Sequence, residues 1–175
     1  MNRPQKDEIL ERLAFSDGVA EAYAKAESTP TESRTEPSGD HWSRPVLLER
    51  AAYLRKLARF SEGSATETIR EFPTYSLMLM VLLRSGDAVM HAEYSEILTV
   101  LDGHATLVTG GTMERARQVE SGEIRGTAIS GGASREVRIG DVIHLSAGTP
   151  HQLLIAGDKT LSCLVSRVKE IGETR

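Results

Sequence analysis

The stretch GDAVMHAEYSEILTVLDG at residues 86–103 carries the most information in this sequence, and its counterpart is GDVIHLSAGTPH at residues 140–151. In the first stretch, the apolar and β-branched run ILTVL is followed directly by Asp102-Gly103. An Asp-Gly pair between two apolar runs favours a two-residue hairpin turn, because both central residues of a type I′ turn need positive φ. We therefore expect a hairpin at this pair, with one strand on either side.

Short apolar runs separated by turn residues continue from Gly63 to residue 169. The runs are rich in Val, Ile, Leu and Thr and are interrupted by Gly, Asp-Gly or Gly-Gly, which is typical of antiparallel strands. The predicted strands lie at 66–71, 77–84, 88–91, 97–101, 104–109, 123–129, 134–139, 141–145, 152–155 and 161–169. Strands this short with hairpin-like connections predict one closed all-β barrel or sandwich.

The first 63 residues follow a different pattern. Apolar residues recur at helical spacing over 7–27 and again over 46–60. Between them, residues 28–43 carry prolines, a glycine and many Ser, Thr and Glu, which favour turns and solvated chain. We expect a helical extension over 1–63 with a linker at 28–43, followed by a β domain over 64–175.

Composition narrows the classes of function. The chain has 175 residues, 39% hydrophobic and 26% charged, with a net charge of −4 and a pI near 5.8. An acidic protein of this kind gives no reason to expect nucleic acid, and no apolar run is long enough to span a membrane. Small molecules or proteins are the expected partners. Cys163 is the only cysteine and the first residues lack the apolar core of a secretory signal, so we expect a cytoplasmic protein.

The two quoted stretches resemble the two motifs of the cupin superfamily. The first motif of that family contains a glycine, two alternating histidines, a glutamate and then a second glycine. Glu96 and Gly103 match the spacing between that glutamate and the second glycine. In the second motif, two glycines and a final histidine match, and here that histidine is His151. The resemblance covers about residues 65–169. It implies an all-β double-stranded β-helix, the cupin or jelly-roll barrel, with an N-terminal helical extension.

The first motif is degenerate. Val89 stands where the first of the paired histidines is expected, so only His91 is kept. In the second motif, Ile155 replaces a frequent asparagine and Ser146 replaces a usual proline. Neither of these two replacements removes a ligand.

The resemblance implies a site for one divalent transition metal ion, held by His91, Glu96 and His151. Two imidazoles and one carboxylate suit Fe(II) or Mn(II), and Zn or Ni is also compatible. We expect the donor atoms to lie about 2.0–2.2 Å from the ion. Glu93 lies two residues from His91 and is predicted to be a fourth ligand or a general base, while Tyr94 is predicted to donate a proton or orient the substrate.

These residues predict a metal-dependent enzyme acting on a small oxygen-containing organic molecule, and they do not distinguish an oxygenase from an isomerase or a lyase. The cupin fold also hosts non-catalytic proteins. The alternatives are therefore a small-molecule-binding or regulatory cupin, and a metal-free cupin whose histidines only line a cavity. We also expect a homodimer, because the very apolar strand at 77–83 and the apolar stripes of the extension need to be covered.

Overall fold

The computed structural model describes residues 39–120 and 122–170. The predicted helix at 7–27 and most of the predicted linker at 28–43 lie outside the described residues. Within the described ranges, one helix precedes twelve strands, and all of them belong to the compact unit that begins at His41.

Helix α1 spans Arg44–Ala58, so both of its ends lie two residues before those predicted. Pro45 is in the first turn, where its missing N–H would have had no helical partner, and the basic Arg55 and Lys56 of the last turn complement the helix dipole. The buried residues of the helix follow helical spacing and are Leu47, Ala51, Leu54 and Ala58. No helix in the described part of the chain combines the length and the apolar character needed to cross a bilayer.

The strands are β1 (Ser64–Glu71), β2 (Tyr75–Leu82), β3 (Ala88–His91), β4 (Tyr94–Thr109), β5 (Thr112–Glu114), β6 (Arg117–Glu120), β7 (Glu123–Gly126), β8 (Ala128–Ser130), β9 (Ala133–Arg138), β10 (Val142–Leu145), β11 (His151–Leu154) and β12 (Leu161–Lys169). The predicted bounds of β3 and β12 are confirmed. The strand predicted at 123–129 is interrupted at Thr127, and β5 and β6 were not predicted.

All strand pairings are antiparallel, which confirms the predicted all-β class with a helix on the N-terminal side. The main sheet runs β1-β2-β12-β4-β11-β3-β7-β6, and β9 and β10 also pair with β4. Strands β5 and β8 form a separate two-stranded sheet. A curled sheet with this order is consistent with a cupin jelly roll.

The hairpin predicted at Asp102-Gly103 is wrong, because β4 runs without interruption through this pair. The first half of β4 pairs with β10 and β12, and the second half pairs with β9 and β11. The pairing with β12 shifts by one residue next to this point, which is a β-bulge. Gly103 has a φ of +83°, and a Cβ there would collide with the carbonyl oxygen of Thr160. The positive φ therefore bends one strand between two parts of the sheet and does not reverse the chain.

Two clusters of buried apolar residues stabilise the fold, one inside the curled sheet and one between the sheet and α1. The inner cluster is formed by Leu82, Leu98, Val100, Ala105, Leu107, Val137, Leu145, Leu153, Leu161, Cys163 and Val165. The outer cluster is formed by Leu47, Ala51, Leu54, Ile69, Leu79, Val81 and Leu101. Burial of apolar surface in these clusters is the main stabilising contribution.

Strand β2 is apolar on both faces because each face is covered within the chain. Met78, Met80 and Leu82 pack on the inner cluster, while Leu79 and Val81 lie under the helix. The apolar character of this strand is thus explained without a second subunit, and the homodimer stays a prediction. The predicted boundary at residue 63 falls between α1 and β1, which share the outer cluster.

Candidate metal centre

Three buried polar residues from three strands converge inside the curled sheet. His91 ends β3, Glu96 lies near the start of β4 and His151 begins β11. Their exposed fractions are 6%, 6% and 9%. Each offers one donor atom, and these atoms all lie within 4.8 Å of one another. The structure therefore brings together the three residues that the two motifs predict as metal ligands.

The bend in β4 explains how the three residues meet. His91 and His151 lie on neighbouring strands, since β11 pairs with β3 through His151 and Val89. Glu96 belongs to the first half of β4, before the bend at Gly103, and its carboxylate reaches across the interior to both rings. Glu96 is buried on the same face of β4 as Leu98 and Val100, because alternate residues of a strand point to the same side.

The two imidazoles present the same ring nitrogen to one carboxylate. The distance from His91 Nε2 to Glu96 Oε1 is 3.3 Å, and the distance from His151 Nε2 to Glu96 Oε2 is also 3.3 Å. His151 Nδ1 lies 3.1 Å from the carbonyl oxygen of Thr149, and His91 Nδ1 lies 3.5 Å from Glu123 Oε2. Oxygen acceptors beside Nδ1 leave the Nε2 lone pair free for a metal, as in many metal-binding histidines.

The contact between His151 and Glu96 brings two hydrogen-bond acceptor atoms close together. The carbonyl of Thr149 can only accept, so Nδ1 of His151 carries a proton, and Nε2 and the carboxylate oxygen would both present lone pairs. A metal ion between them would remove this repulsion. Charge-assisted N–H···O bonds are about 2.7–2.9 Å long. Two donors about 2.0–2.2 Å from one ion are about 2.8–3.1 Å apart at octahedral angles and about 3.3–3.6 Å apart at tetrahedral angles. The 3.3 Å separation lies within the range for two donors of one ion.

Glu96 is held in its ionised form. Burial would raise the pKa of this carboxyl, but hydrogen bonds with His151 and His91 and the charges of both rings hold its pKa well below the usual range. An ionised carboxylate between two imidazoles is the donor set of a two-His-one-carboxylate metal site. The residues present therefore fit a divalent transition metal ion.

Arg167 completes the site and was missed by the sequence analysis. Its Nε and Nη2 both lie 3.1 Å from Glu96 Oε1, and Nη2 lies 3.2 Å from His91 Nε2. Its side chain is 28% exposed. The strand pairing opposes Arg167 and Glu96, and Arg167 has the same parity as the buried Cys163 and Val165. This alternation within the predicted strand was the signal that could have placed Arg167 on the inner face.

A cavity of about 360 Å³ opens beside His91, the member of the three converging residues that lines it. It is lined by Glu71, Phe72, Pro73, Thr74, Tyr75, Ser76, His91, Tyr94, Gly122, Glu123 and Arg167. The guanidinium of Arg167 lies 5.9 Å from the centroid of the Tyr94 ring, a cation–π contact. On another side, Phe72 and Tyr75 stack with their centroids 4.4 Å apart. Tyr94 is thus among the residues that line this cavity, and its predicted role stays a prediction.

The structure does not bring Glu93 to the three donor residues. It lies in the bend between β3 and β4, where its side chain is exposed and packs against Gly122. Although Glu93 is only two positions from His91 in the sequence, it does not lie beside the imidazole, because β3 ends at His91 and the chain turns there. Besides Glu96, the carboxylate near the His91 ring is that of Glu123 on β7, which lies 3.5 Å from Nδ1.

The sequence matches no protein-family model and no curated protein. Among solved structures, the chain is similar to BH2720 from Bacillus halodurans, with a TM-score of 0.52, 12% identity and coverage of 81% of this chain and 88% of that one. TT1209 from Thermus thermophilus is 15% identical, with a TM-score of 0.48 over 70% and 93% of the two chains. Rru_A2000 from Rhodospirillum rubrum, a cupin-2 domain, is 13% identical, with a TM-score of 0.45 over 63% of each chain.

These likenesses concern the fold alone. The chain's own features give it a cupin fold: an antiparallel curled sheet, a central bent strand and the residues of both motifs meeting inside it.

Proposed function

We propose that this protein is a metal-dependent enzyme that acts on a small oxygen-containing organic molecule, with one divalent transition metal ion at His91, Glu96 and His151. One observation carries the proposal. The Nε2 atoms of both buried histidines face the two oxygens of one ionised carboxylate, at separations that suit donors of a shared ion.

The remaining residues have roles that follow from their positions. A bound divalent ion would act as a Lewis acid toward an oxygen of the substrate. The Thr149 carbonyl and the Glu123 carboxylate orient the two imidazoles through Nδ1. The cavity holds the substrate, and the ring of Tyr94 along its wall is the better placed of the two predicted proton-transfer groups. The exposed Glu93 would need a ligand that extends to the β3–β4 bend.

Metal titration tests this proposal directly. Calorimetric titration of metal-stripped protein with Zn²⁺, Ni²⁺, Mn²⁺ and anaerobic Fe²⁺ should give one site with micromolar or tighter affinity for at least one ion. His151→Ala should lose this stoichiometric binding and keep the β circular dichroism of the wild type, because it removes a donor and little core. His144→Ala is the matched control, since His144 is an exposed histidine on β10. Absence of binding to the wild type, or equal binding to His151→Ala, would overturn the proposal.

A second candidate is a metal-free small-molecule-binding or regulatory cupin. It is supported by Arg167, which already contacts two of the three donor atoms and balances the charge of Glu96. In that case the cavity would bind its ligand through hydrogen bonds and charge alone. The same titration separates the two candidates, because only the first requires stoichiometric metal.

Two further properties are proposals of a coarser kind. We propose a homodimer, tested by light scattering at micromolar concentration, where a monomer mass would contradict it. A cytoplasmic location is proposed from the single cysteine, whose thiol is buried and forms no disulfide. Cell fractionation of the native protein tests the location.

A further inference from the structure

Arg167 and the proposed metal ion use the same donor atoms. The guanidinium donates to Glu96 Oε1 from Nε and Nη2, and Nη2 also lies 3.2 Å from His91 Nε2. His91 and Glu96 are both among the three residues that would bind the ion. The single lone pair of His91 Nε2 cannot serve a metal and a guanidinium together, whereas each carboxylate oxygen has two lone pairs. Metal binding therefore removes the contact of Arg167 with His91 and weakens its hold at the site.

The charge of the site changes with the metal. Without an ion, the negative charge of Glu96 is balanced by the positive charge of Arg167, at 3.1 Å. With a divalent ion, the site carries an excess of two positive charges if both histidines are neutral. Most of this charge is buried, with Glu96 only 6% exposed and the Arg167 side chain 28% exposed. Excess charge away from water is costly unless it is paired.

The carboxylates among the described residues that line the cavity can offset this charge only in part. Arg167 is the only arginine or lysine among the described residues that line it, and two carboxylates line it as well. Glu71 is exposed, and Glu123 is held by Arg125, with 2.7 Å between Arg125 Nε and a Glu123 oxygen. The ring of Tyr94 keeps the guanidinium at the cavity wall. A planar guanidinium in such a position binds a carboxylate through two parallel N–H···O bonds.

We propose that Arg167 is the anion-binding residue of this cavity and that the substrate carries a carboxylate, bound by Arg167 while another substrate oxygen faces the metal. This inference rests on the proposed metal site and narrows its substrate class to small organic acids. It also makes metal and anion binding mutually favourable, since each supplies the charge that the other needs. By linkage, the anion tightens the metal by the same factor by which the metal tightens the anion.

Glycolate and glycolamide form a matched pair of probes, because they have nearly the same size and both carry a hydroxyl, but only glycolate is charged. Zn²⁺-loaded, desalted protein is titrated with each compound in a calorimeter, with blank titrations for free Zn²⁺. We expect the wild type to prefer glycolate by about tenfold or more, which is the usual strength of one charged hydrogen-bonding contact. Metal-free wild type should show no such preference, since Arg167 is then paired with Glu96.

Arg167→Gln should remove the preference for glycolate and bind Zn²⁺ at least as tightly as the wild type when no anion is present, because the competing cation is gone. Arg167→Lys keeps the charge but not the planar fork, and it should retain part of the preference. Arg135→Gln is the matched control, since Arg135 is an exposed arginine of β9 away from the cavity lining. Circular dichroism of each variant checks the fold.

The outcomes separate this inference from the proposed function. If the wild type binds no Zn²⁺, the metal site and the anion site both fail. If it binds Zn²⁺ but binds glycolate and glycolamide equally, the metal site stands and the role of Arg167 is overturned. The same holds if Arg167→Gln keeps the preference, or if it weakens Zn²⁺ binding as a purely structural residue would. Should Arg167→Gln fail to fold, the partial preference expected for Arg167→Lys decides.

Discussion

The two ends of the barrel interior are built from the same pair of strands but have opposite chemistry. Along β4 and β12, the inward-facing pairs are Val100 with Cys163 and Leu98 with Val165, and both are apolar and buried. One further step along the same face, the pair becomes Glu96 with Arg167. The alternation of the strands is unchanged, so the backbone places these charges as firmly as it places the apolar core.

Because of this difference, one end of the sheet contributes mainly to stability and the other end mainly to ligand binding. The apolar end gains free energy from burial, at roughly 25 cal/mol per Å² of apolar surface. At the charged end, desolvation opposes the Coulomb attraction, and a buried ion pair is a weak source of stability. The charges of Glu96 and Arg167 add little to folding stability, but they can bind a metal ion and an anionic ligand. Mutations at the two ends should therefore give different phenotypes.

The largest effect on stability is expected at the apolar end. Leu98→Ala should lower the free energy of unfolding by about 2–5 kcal/mol, because it leaves a cavity in a buried cluster. Zn²⁺ stoichiometry at saturation should be unchanged, because Leu98 supplies no donor. Ile97→Ala is the control on the opposite face of β4, where the side chain is 38% exposed. Urea denaturation measures both variants, and equal losses for Leu98 and Ile97 would contradict the comparison.

A smaller effect is expected at the charged end. In metal-free protein, Arg167→Gln should lower the free energy of unfolding by about 1–3 kcal/mol, because Glu96 loses its only arginine partner among the described residues. Zn²⁺ at one fixed free concentration should reduce the difference between variant and wild type, because the variant is expected to bind the ion at least as tightly and bound ligand stabilises the folded state. Arg135→Gln should change little. A difference that grows with Zn²⁺ would mean that Arg167 is needed for packing.

The charged end should make the stability of the protein depend on pH. The pKa of Glu96 is below its usual range in the folded protein, so the unfolded chain binds its proton first as the pH falls. Its contribution is therefore fully present above the unfolded value of about 4.5 and is lost progressively below it. Urea denaturation of metal-free wild type from neutral pH down to about pH 3 should show a steeper loss below about pH 4.5 than in Glu96→Gln. Parallel curves would contradict the role of Glu96.

Much of the fold could be predicted from the sequence because strand alternation and turn residues are local signals. Such signals predicted the bounds of β3 and β12 correctly. They failed at Asp102-Gly103, where positive φ is required both by a hairpin turn and by the bulge that bends β4. Only the partner strands distinguish these two cases, and partners are not local information.

The candidate site was predictable to the extent that motifs fix it. His91, Glu96 and His151 were predicted from their motif positions. Residues at these positions meet in the fold although they are distant in the sequence. Glu93 illustrates the opposite case, because closeness in sequence does not imply closeness across a bend. Arg167 has no motif position, and its importance depends on the register between β12 and β4. That register is set by the packing of the whole sheet.

Cys163 is a natural probe of the apolar end, so no cysteine has to be introduced. Its thiol is fully buried, and this burial raises its pKa to about 12, so almost no thiolate is present near neutral pH. Because the thiolate is the reactive form, iodoacetamide at pH 8 should leave Cys163 unmodified in the folded protein and label it completely in denaturing urea, as measured by intact mass.

In Leu98→Ala, labelling without urea should become faster, since opening of the cluster is easier. In Arg167→Gln with saturating Zn²⁺, labelling should stay as slow as in the wild type, because the apolar cluster around the thiol is untouched. Fast labelling in that variant would show that the two ends open together, and the division of the interior into a stabilising end and a binding end would then be wrong.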